Sequence, residues 1–246
     1  MAHLKSYSAK THQGPYLHIN EDDIDVDLIN NLFLIFDGFG GSGIGNQCIE
    51  TIKNNIKQFY TRISADAEST LPFFYSAKYL LEGNFLANAM HYSHKLFSKE
   101  NFKKDMSQRG GASCVAGCLS ESILTLASVG NCSVYILRKG ILQQAVVPDS
   151  LANLSTDNYM KYFHTAPMSA FGLFEDLHLI LTEVRVADGD LVVMLTDGVY
   201  SRLETPELKH ILEKSPENSG QKISELFDIS NSRGNLDNQS ALILQF

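Results

Sequence analysis

Asn31-Leu32-Phe33-Leu34-Ile35-Phe36-Asp37-Gly38-Phe39-Gly40-Gly41 is the stretch on which the fold turns. Its apolar part is short and stops abruptly at Asp37-Gly38. Such a run predicts a buried strand that ends at Phe36, with Asp37 just beyond it. Gly38, Gly40, Gly41, Gly43 and Gly45 follow as a loop whose backbone can reach conformations closed to other residues. Ile49, Ile52, Ile56 and Phe59 then recur at helical spacing and predict a helix from Ile44 to about Arg62. A second helix is expected over Tyr75 to Ser98, carried by Leu80, Leu81, Phe85, Leu86 and Met90.

Past Gly110-Gly111 the character changes. Ser113 to Leu119, Ser122 to Val129, Ser133 to Arg138 and Ile141 to Val147 read as strands. Ser120-Glu121, Gly130-Asn131 and Lys139-Gly140 read as the tight turns between them, which predicts an antiparallel meander. Leu177 to Val186 and Leu191 to Thr196 are two further strands, with Asp188-Gly189-Asp190 as their hairpin turn. Thr205 to Lys214 and Gly220 to Asn231 read as helices, and Ser240 to Phe246 as a final strand. Long helices flanking groups of antiparallel strands argue for an α+β layered domain rather than alternating βαβ units.

The chain has 246 residues, 44% hydrophobic and 20% charged, with a formal net charge of -8. That length buries a substantial core, and no repeat or linker composition divides it. It is read as one domain, 1–246. An acidic surface, with a sequence pI of about 5.4, does not favour nucleic acid as a partner. No run approaches the roughly 18 apolar residues of a membrane span. Met1 to Gln13 is polar and lacks the apolar core of a secretory signal. Cys48, Cys114, Cys118 and Cys132 lack Cys-x-x-Cys spacing and read as reduced, mostly buried thiols. A cytoplasmic monomer is the expectation.

Three acidic residues sit at strand ends. Asp37 follows one strand, Asp197 follows another, and Asp237 precedes the last. Glu21-Asp22-Asp23 is a further acidic cluster just before the first strand. Carboxylates gathered in one cleft repel one another and call for a compensating charge. Oxygen ligands of this kind suit magnesium, manganese or calcium. A single Asp-Gly is usually only a turn, so it is the order of these fragments together that carries weight.

In that order they resemble the metal-dependent protein phosphatases of type 2C, the PPM family, in their bacterial form. Asn20-Glu21-Asp22 is similar to the family's first acidic motif, and Asp37-Gly38-Phe39-Gly40-Gly41 to its Asp-Gly-His/Met-Gly-Gly loop. Gly110-Gly111-Ala112-Ser113 stands where the family has Gly-Thr-Thr. Ala127 to Tyr135 resembles Ala-Asn-Val-Gly-Asp-Ser-Arg-Ala-Tyr, and Ala170-Phe171-Gly172 resembles Ala-Leu-Gly. Thr196-Asp197-Gly198-Val199 resembles Ser-Asp-Gly-Leu, and Asp237-Asn238-Gln239-Ser240 matches the closing motif. The likeness runs from Gly14 to Phe246.

It implies a four-layer αββα sandwich of two antiparallel sheets flanked by helices. It implies two Mn²⁺ or Mg²⁺ ions in a cleft at one end, with Asp37 bridging both. Glu21, Asp22 and the Gly38 carbonyl would serve one ion, and Asp197 and Asp237 the other. Asp37, Asp197 and Asp237 are thereby the candidate catalytic residues. A metal-bridging water would hydrolyse phosphoserine or phosphothreonine in a phosphorylated protein substrate.

Two departures set a second reading beside this one. Leu17 stands where the family has a phosphate-holding arginine, and leucine has no hydrogen bond to give. Asn131 replaces an aspartate associated with a third ion. A catalytically weak or inactive pseudophosphatase, acting as a regulatory binding module, is the alternative. The span from Gln144 to Ala170 is short for the family, so its flap is expected to be reduced; this opens a third reading, hydrolysis of small phosphate esters. His91 and His94 read as a polar helix face, Phe73-Phe74-Tyr75 and Tyr159 to Phe163 as core, and Lys103-Lys104 as solvated helix surface.

Overall fold

The computed structural model describes residues 2–66, 69–154, 165–214 and 218–246. Two antiparallel sheets of five strands each lie face to face. One contains β2 (Asp22–Asp27), β3 (Leu32–Phe39), β4 (Gly111–Ser120), β5 (Ile123–Val129) and β8 (Ile180–Arg185), in that order across the sheet. The other runs β1 (Ser6–His12), β10 (Gln239–Gln245), β9 (Leu191–Leu195), β6 (Ser133–Arg138), β7 (Ile141–Val146). Helices α1 (Ile44–Ser64) and α2 (Leu81–Asn101) cover the outside of the first sheet. Helices α4 (Thr205–Glu213) and α5 (Ser219–Ser232) cover the second, and a one-turn helix α3 (Asp197–Tyr200) follows β9. The result is the αββα sandwich.

The opening run explains itself in this frame. Side chains alternate along a strand. Phe33 and Ile35 therefore point between the sheets, against Val192, Met194, Leu242 and Leu244. Leu32, Leu34 and Phe36 point the other way, onto α1 and α2. A strand covered on both faces reads as a continuous apolar run instead of an alternating one. The second sheet repeats the pattern, with Val193, Leu195, Ala241 and Ile243 turned toward α4 and α5.

Several expectations need correcting. The strand does not stop at Phe36: Asp37, Gly38 and Phe39 stay in β3, paired with Ser113, Ala112 and Gly111. The four strands after Gly110 do not form one meander. Ser120-Glu121 and Lys139-Gly140 are true hairpin turns, but at Gly130-Asn131 the chain leaves the first sheet for the second. Asp188-Gly189-Asp190 is a second crossing between sheets and not a hairpin. Arg138 in β6 grips the buried Asp190 there, with Nη2 donating to Oδ2 at 2.6 Å. Turn residues look alike in both situations, and only the packing of the two apolar faces decides between them.

Helix α2 begins at Leu81 instead of Tyr75. Residues before it are held by side chains from inside the helix: Asn88 Oδ1 accepts from the Phe73 and Phe74 amides, and Asn84 Oδ1 from the Ser76 amide. Phe73 and Tyr75 are exposed and not core. His94 is no polar-face residue; it is buried, and its ring N–H donates to the Glu175 carbonyl. Lys103 and Lys104 are exposed, in the turn after α2. All four cysteines are free and buried. Tyr159 to Phe163 and the middle of the expected flap lie outside the described residues. No helix among the described residues is long and apolar enough to cross a membrane.

Candidate active site

Strand register builds the site. Asp22 is directly opposite Asp37 across β2 and β3, and Asp37 is opposite Ser113 across β3 and β4. Ile24 and Val26 pack toward the inter-sheet core, so Asp22 shares that inward face; Asp37 shares it with Phe33 and Ile35. Both carboxylates therefore end inward-facing rows, at one mouth of the sandwich. From the other sheet, Thr196 and Ser240 end the rows of Met194 and Leu242. The Thr196 hydroxyl donates to Asp22 Oδ2 at 2.8 Å and joins the two sheets there. Asp23 and Asp25 alternate to the opposite face of β2, where they bind Lys53 and Lys57 of α1 at 2.7 and 2.8 Å.

Asp197 and Asp237 come in beside them. Asp197 opens α3, and Asp237 precedes β10. Gly198 makes their approach feasible: a Cβ there would lie 1.8 Å from the Asn238 carbonyl oxygen. The Asn238 amide donates to Asp237 Oδ1 at 2.8 Å, which fixes that carboxylate. Asn131 comes from the crossing segment. Its Nδ2 donates to Asp197 Oδ2 and to the Thr165 carbonyl, both at 3.0 Å, and its own carbonyl accepts from the Tyr200 hydroxyl at 2.6 Å.

The electrostatics are those of crowded acids. Asp22 is buried and Asp37 half-buried, and desolvation first, then repulsion from Asp197 and Asp237, hold their carboxyls well above the usual range. Burial, followed by Asp237, pushes Asp197 up to about 6. Asp237 reaches the surface and is raised as well, mainly by desolvation. None of the four pairs with a lysine or arginine among the described residues. Asp37 Oδ2 is buried with no hydrogen-bond partner.

Glu21 behaves differently from its neighbour Asp22. Its Oε2 accepts from the Gly41 amide and its Oε1 from the Gly45 amide, each at 3.0 Å, so it fastens the glycine loop to the start of α1. Gly38 gives its N–H to the Glu21 carbonyl at 3.0 Å. A cavity of about 270 Å³ opens here, lined by Leu17, His18, Ile19, Glu21, Gly38 and Asp237 among others. A larger cleft of about 480 Å³ near His3 and Glu121 lies away from the four carboxylates.

Among the described residues, no three His, Cys, Asp or Glu side chains are drawn tightly enough to hold a metal ion outright. The four aspartates neighbour one another without converging on a point. Yet the donor set fits a hard divalent cation. It is all oxygen, it is desolvated, it lacks a counter-charge, and it includes an orphaned carboxylate oxygen.

No protein-family model matches the chain, and a comparison with curated proteins finds no match. Solved structures match it from end to end. The PPM Ser-Thr phosphatase MsPP from Mycobacterium smegmatis, in complex with cacodylate, superposes with TM-score 0.79 and covers 100% of both chains at 18% identity. The chain has the PPM phosphatase fold. PppA, described as a key regulatory component of T6SS in Pseudomonas aeruginosa, shares this PPM fold at TM-score 0.78 and 21% identity, with 98% of each chain covered. So does the catalytic domain of PstP in complex with two manganese ions, at TM-score 0.77 and 16% identity over 98% of this chain and 97% of that one.

Within the PPM fold, sequence reasoning placed Thr196, Ser113 and Asn238 in motifs but gave them no part in building the site. Asp22's place in a strand was also missed, although the alternation Asp22-Asp23-Ile24-Asp25-Val26-Asp27 carried the signal. The bridge between Ala112 and Phe171 joins two motifs that had been read apart, with amide-to-carbonyl distances of 3.2 and 2.9 Å.

Proposed function

We propose that this protein is a divalent-metal-dependent phosphatase that hydrolyses phosphoserine and phosphothreonine in protein substrates. The observation that carries this reading is the set of four neighbouring, mutually repelling aspartates without a cationic partner among the described residues, two of them, Asp22 and Asp197, buried. Asp37, Asp197 and Asp237 would hold two Mn²⁺ or Mg²⁺ ions, with Asp22, the Gly38 carbonyl and Glu21 supporting one of them. When bound, such ions offset the carboxylate charge, polarise a phosphate and lower the pKa of water. The chain's own part is positional. Thr196 fixes Asp22, the Asn238 amide fixes Asp237, and Asn131 fixes Asp197. Leu17 offers the phosphate no donor, whereas His18 and Ser42, on the same cavity wall, each carry one.

A second reading, a pseudophosphatase that binds phosphorylated partners, is favoured by Leu17 and by the Asn131 contact that engages Asp197 Oδ2. Phosphate release from a phosphothreonine peptide, with Mn²⁺, Mg²⁺ or EDTA, separates the two. Metal-dependent turnover that Asp197→Asn abolishes supports the enzyme. Absence of turnover in a folded, metal-binding protein supports the binding module.

A further inference from the structure

The lip of the site is apolar. Leu17 and Ile19 line the cavity beside Glu21 and Asp237, and they are 39% and 43% exposed. Tyr16 on the same loop is 65% exposed, and Leu236, just before Asp237, is 64% exposed. No lysine or arginine lines this cavity among the described residues.

These apolar side chains are held out on a stapled frame. Asn238 Nδ2 donates to the carbonyls of Gln13 and Ile19 at 2.9 and 3.0 Å, and Asn238 Oδ1 accepts from the Glu21 amide at 2.8 Å. Gly14, at φ 79, lets the Asp237 carbonyl approach so closely that a Cβ would sit 2.2 Å from its oxygen. The loop from Gln13 to Glu21 is thus tied to the residues that carry Asp237, and its large side chains do not fold into the core. Exposed apolar groups around a cavity, on a frame fixed by internal hydrogen bonds, mark a surface shaped for a partner.

A segment that delivers a phosphoryl group to the aspartates must lay its flanking residues on this lip. We infer that the lip selects phosphorylated segments with a large apolar residue beside the phosphorylated one. The inference rests on the phosphatase reading of the cavity. An apolar flank would cover Leu17 and Ile19 on the cavity wall, with Tyr16 and Leu236 exposed next to lining residues in the chain. Acidic flanks would find no lysine or arginine on the cavity wall to pair with. Polar flanks would leave the lip wet.

The test uses fluorescent peptides carrying a non-hydrolysable phosphonate analogue of phosphothreonine, flanked by leucine, serine, aspartate or lysine. Binding to the Mn²⁺-loaded protein is read by anisotropy, and hydrolysis of the matching phosphothreonine peptides is followed in parallel. The leucine-flanked peptide binds about tenfold tighter than the serine-flanked one, given the area the lip leaves exposed. The double substitution Leu17→Ser, Ile19→Ser, checked for folding by thermal melting, removes most of that preference. If the double variant does not fold, Leu17→Ala reads the same loss in smaller measure. Equal affinities, a preference that survives both variants, tighter binding of the aspartate or lysine peptide, or no binding at all would each overturn the inference. A preference without hydrolysis would sink the catalytic reading and leave the lip; hydrolysis without a preference would do the reverse.

Discussion

At the residue scale the account rests on four carboxyl groups whose fold disfavours their charge. In the chelated protein each keeps its proton to higher pH than in the unfolded chain. The folded state then binds more protons, so this contribution to stability is complete below about pH 4 and is lost as pH rises. For Asp197 the loss runs through about pH 6. Melting in EDTA should find Asp197→Asn level with the wild type near pH 4 and more stable by about 2–3 kcal/mol at pH 7. Equal stabilities at both pH values would remove the repulsion on which the site is argued. Asp37, Asp197 and Asp237 were legible in the sequence because each stands by a strand end in a recognisable order. The hold of Glu21 on the glycine loop was not. It shares a motif with Asp22, yet adjacent residues of an extended chain point to opposite sides, and Glu21 turns to the amides of Gly41 and Gly45.

At the element scale the site depends on loops that bring Asp197 and Asp237 together. Gly198→Ala would force a Cβ against the backbone carbonyl of Asn238, whose oxygen is 1.8 Å away. It should lower stability by about 2–4 kcal/mol and weaken Mn²⁺ binding in the same variant. A variant that melts like the wild type would show that this approach is not constrained. Asn238→Ala removes hydrogen bonds to Gln13, Ile19 and Glu21, and a melting loss of about 1–3 kcal/mol is expected. Most helices and inner strands were readable from periodicity. The polar edge strand Ser6–His12 was not, because its residues are exposed on both faces, only Ser8 being half-buried, and its place comes from pairing with Gln239–Gln245. Gly130-Asn131 was misread as a hairpin turn for a related reason. A glycine at φ 86 serves a turn and a sheet crossing equally well.

At the scale of the whole molecule the two sheets share one core, and the carboxylates sit where that core ends. Phe33→Ala would open a cavity between Ile35, Val115 and the facing sheet. It should cost about 3–5 kcal/mol and loosen the mouth that Asp22 and Thr196 bridge. The layered α+β class was legible from the grouping of strands and helices. Which strand lies in which sheet was not, since that depends on contacts far apart in the chain, as between Asp22 and Thr196. The central claim is that four aspartates from both sheets form one divalent-cation site. Calorimetric titration of the chelator-treated protein with Mn²⁺ tests it, in buffers of different ionisation heat, beside Asp37→Asn. The account predicts saturable binding accompanied by proton release, as the raised carboxyls give up protons to the ions, and loss of both in the variant. Absence of Mn²⁺ binding to the folded wild type, or unchanged binding to Asp37→Asn, would contradict it.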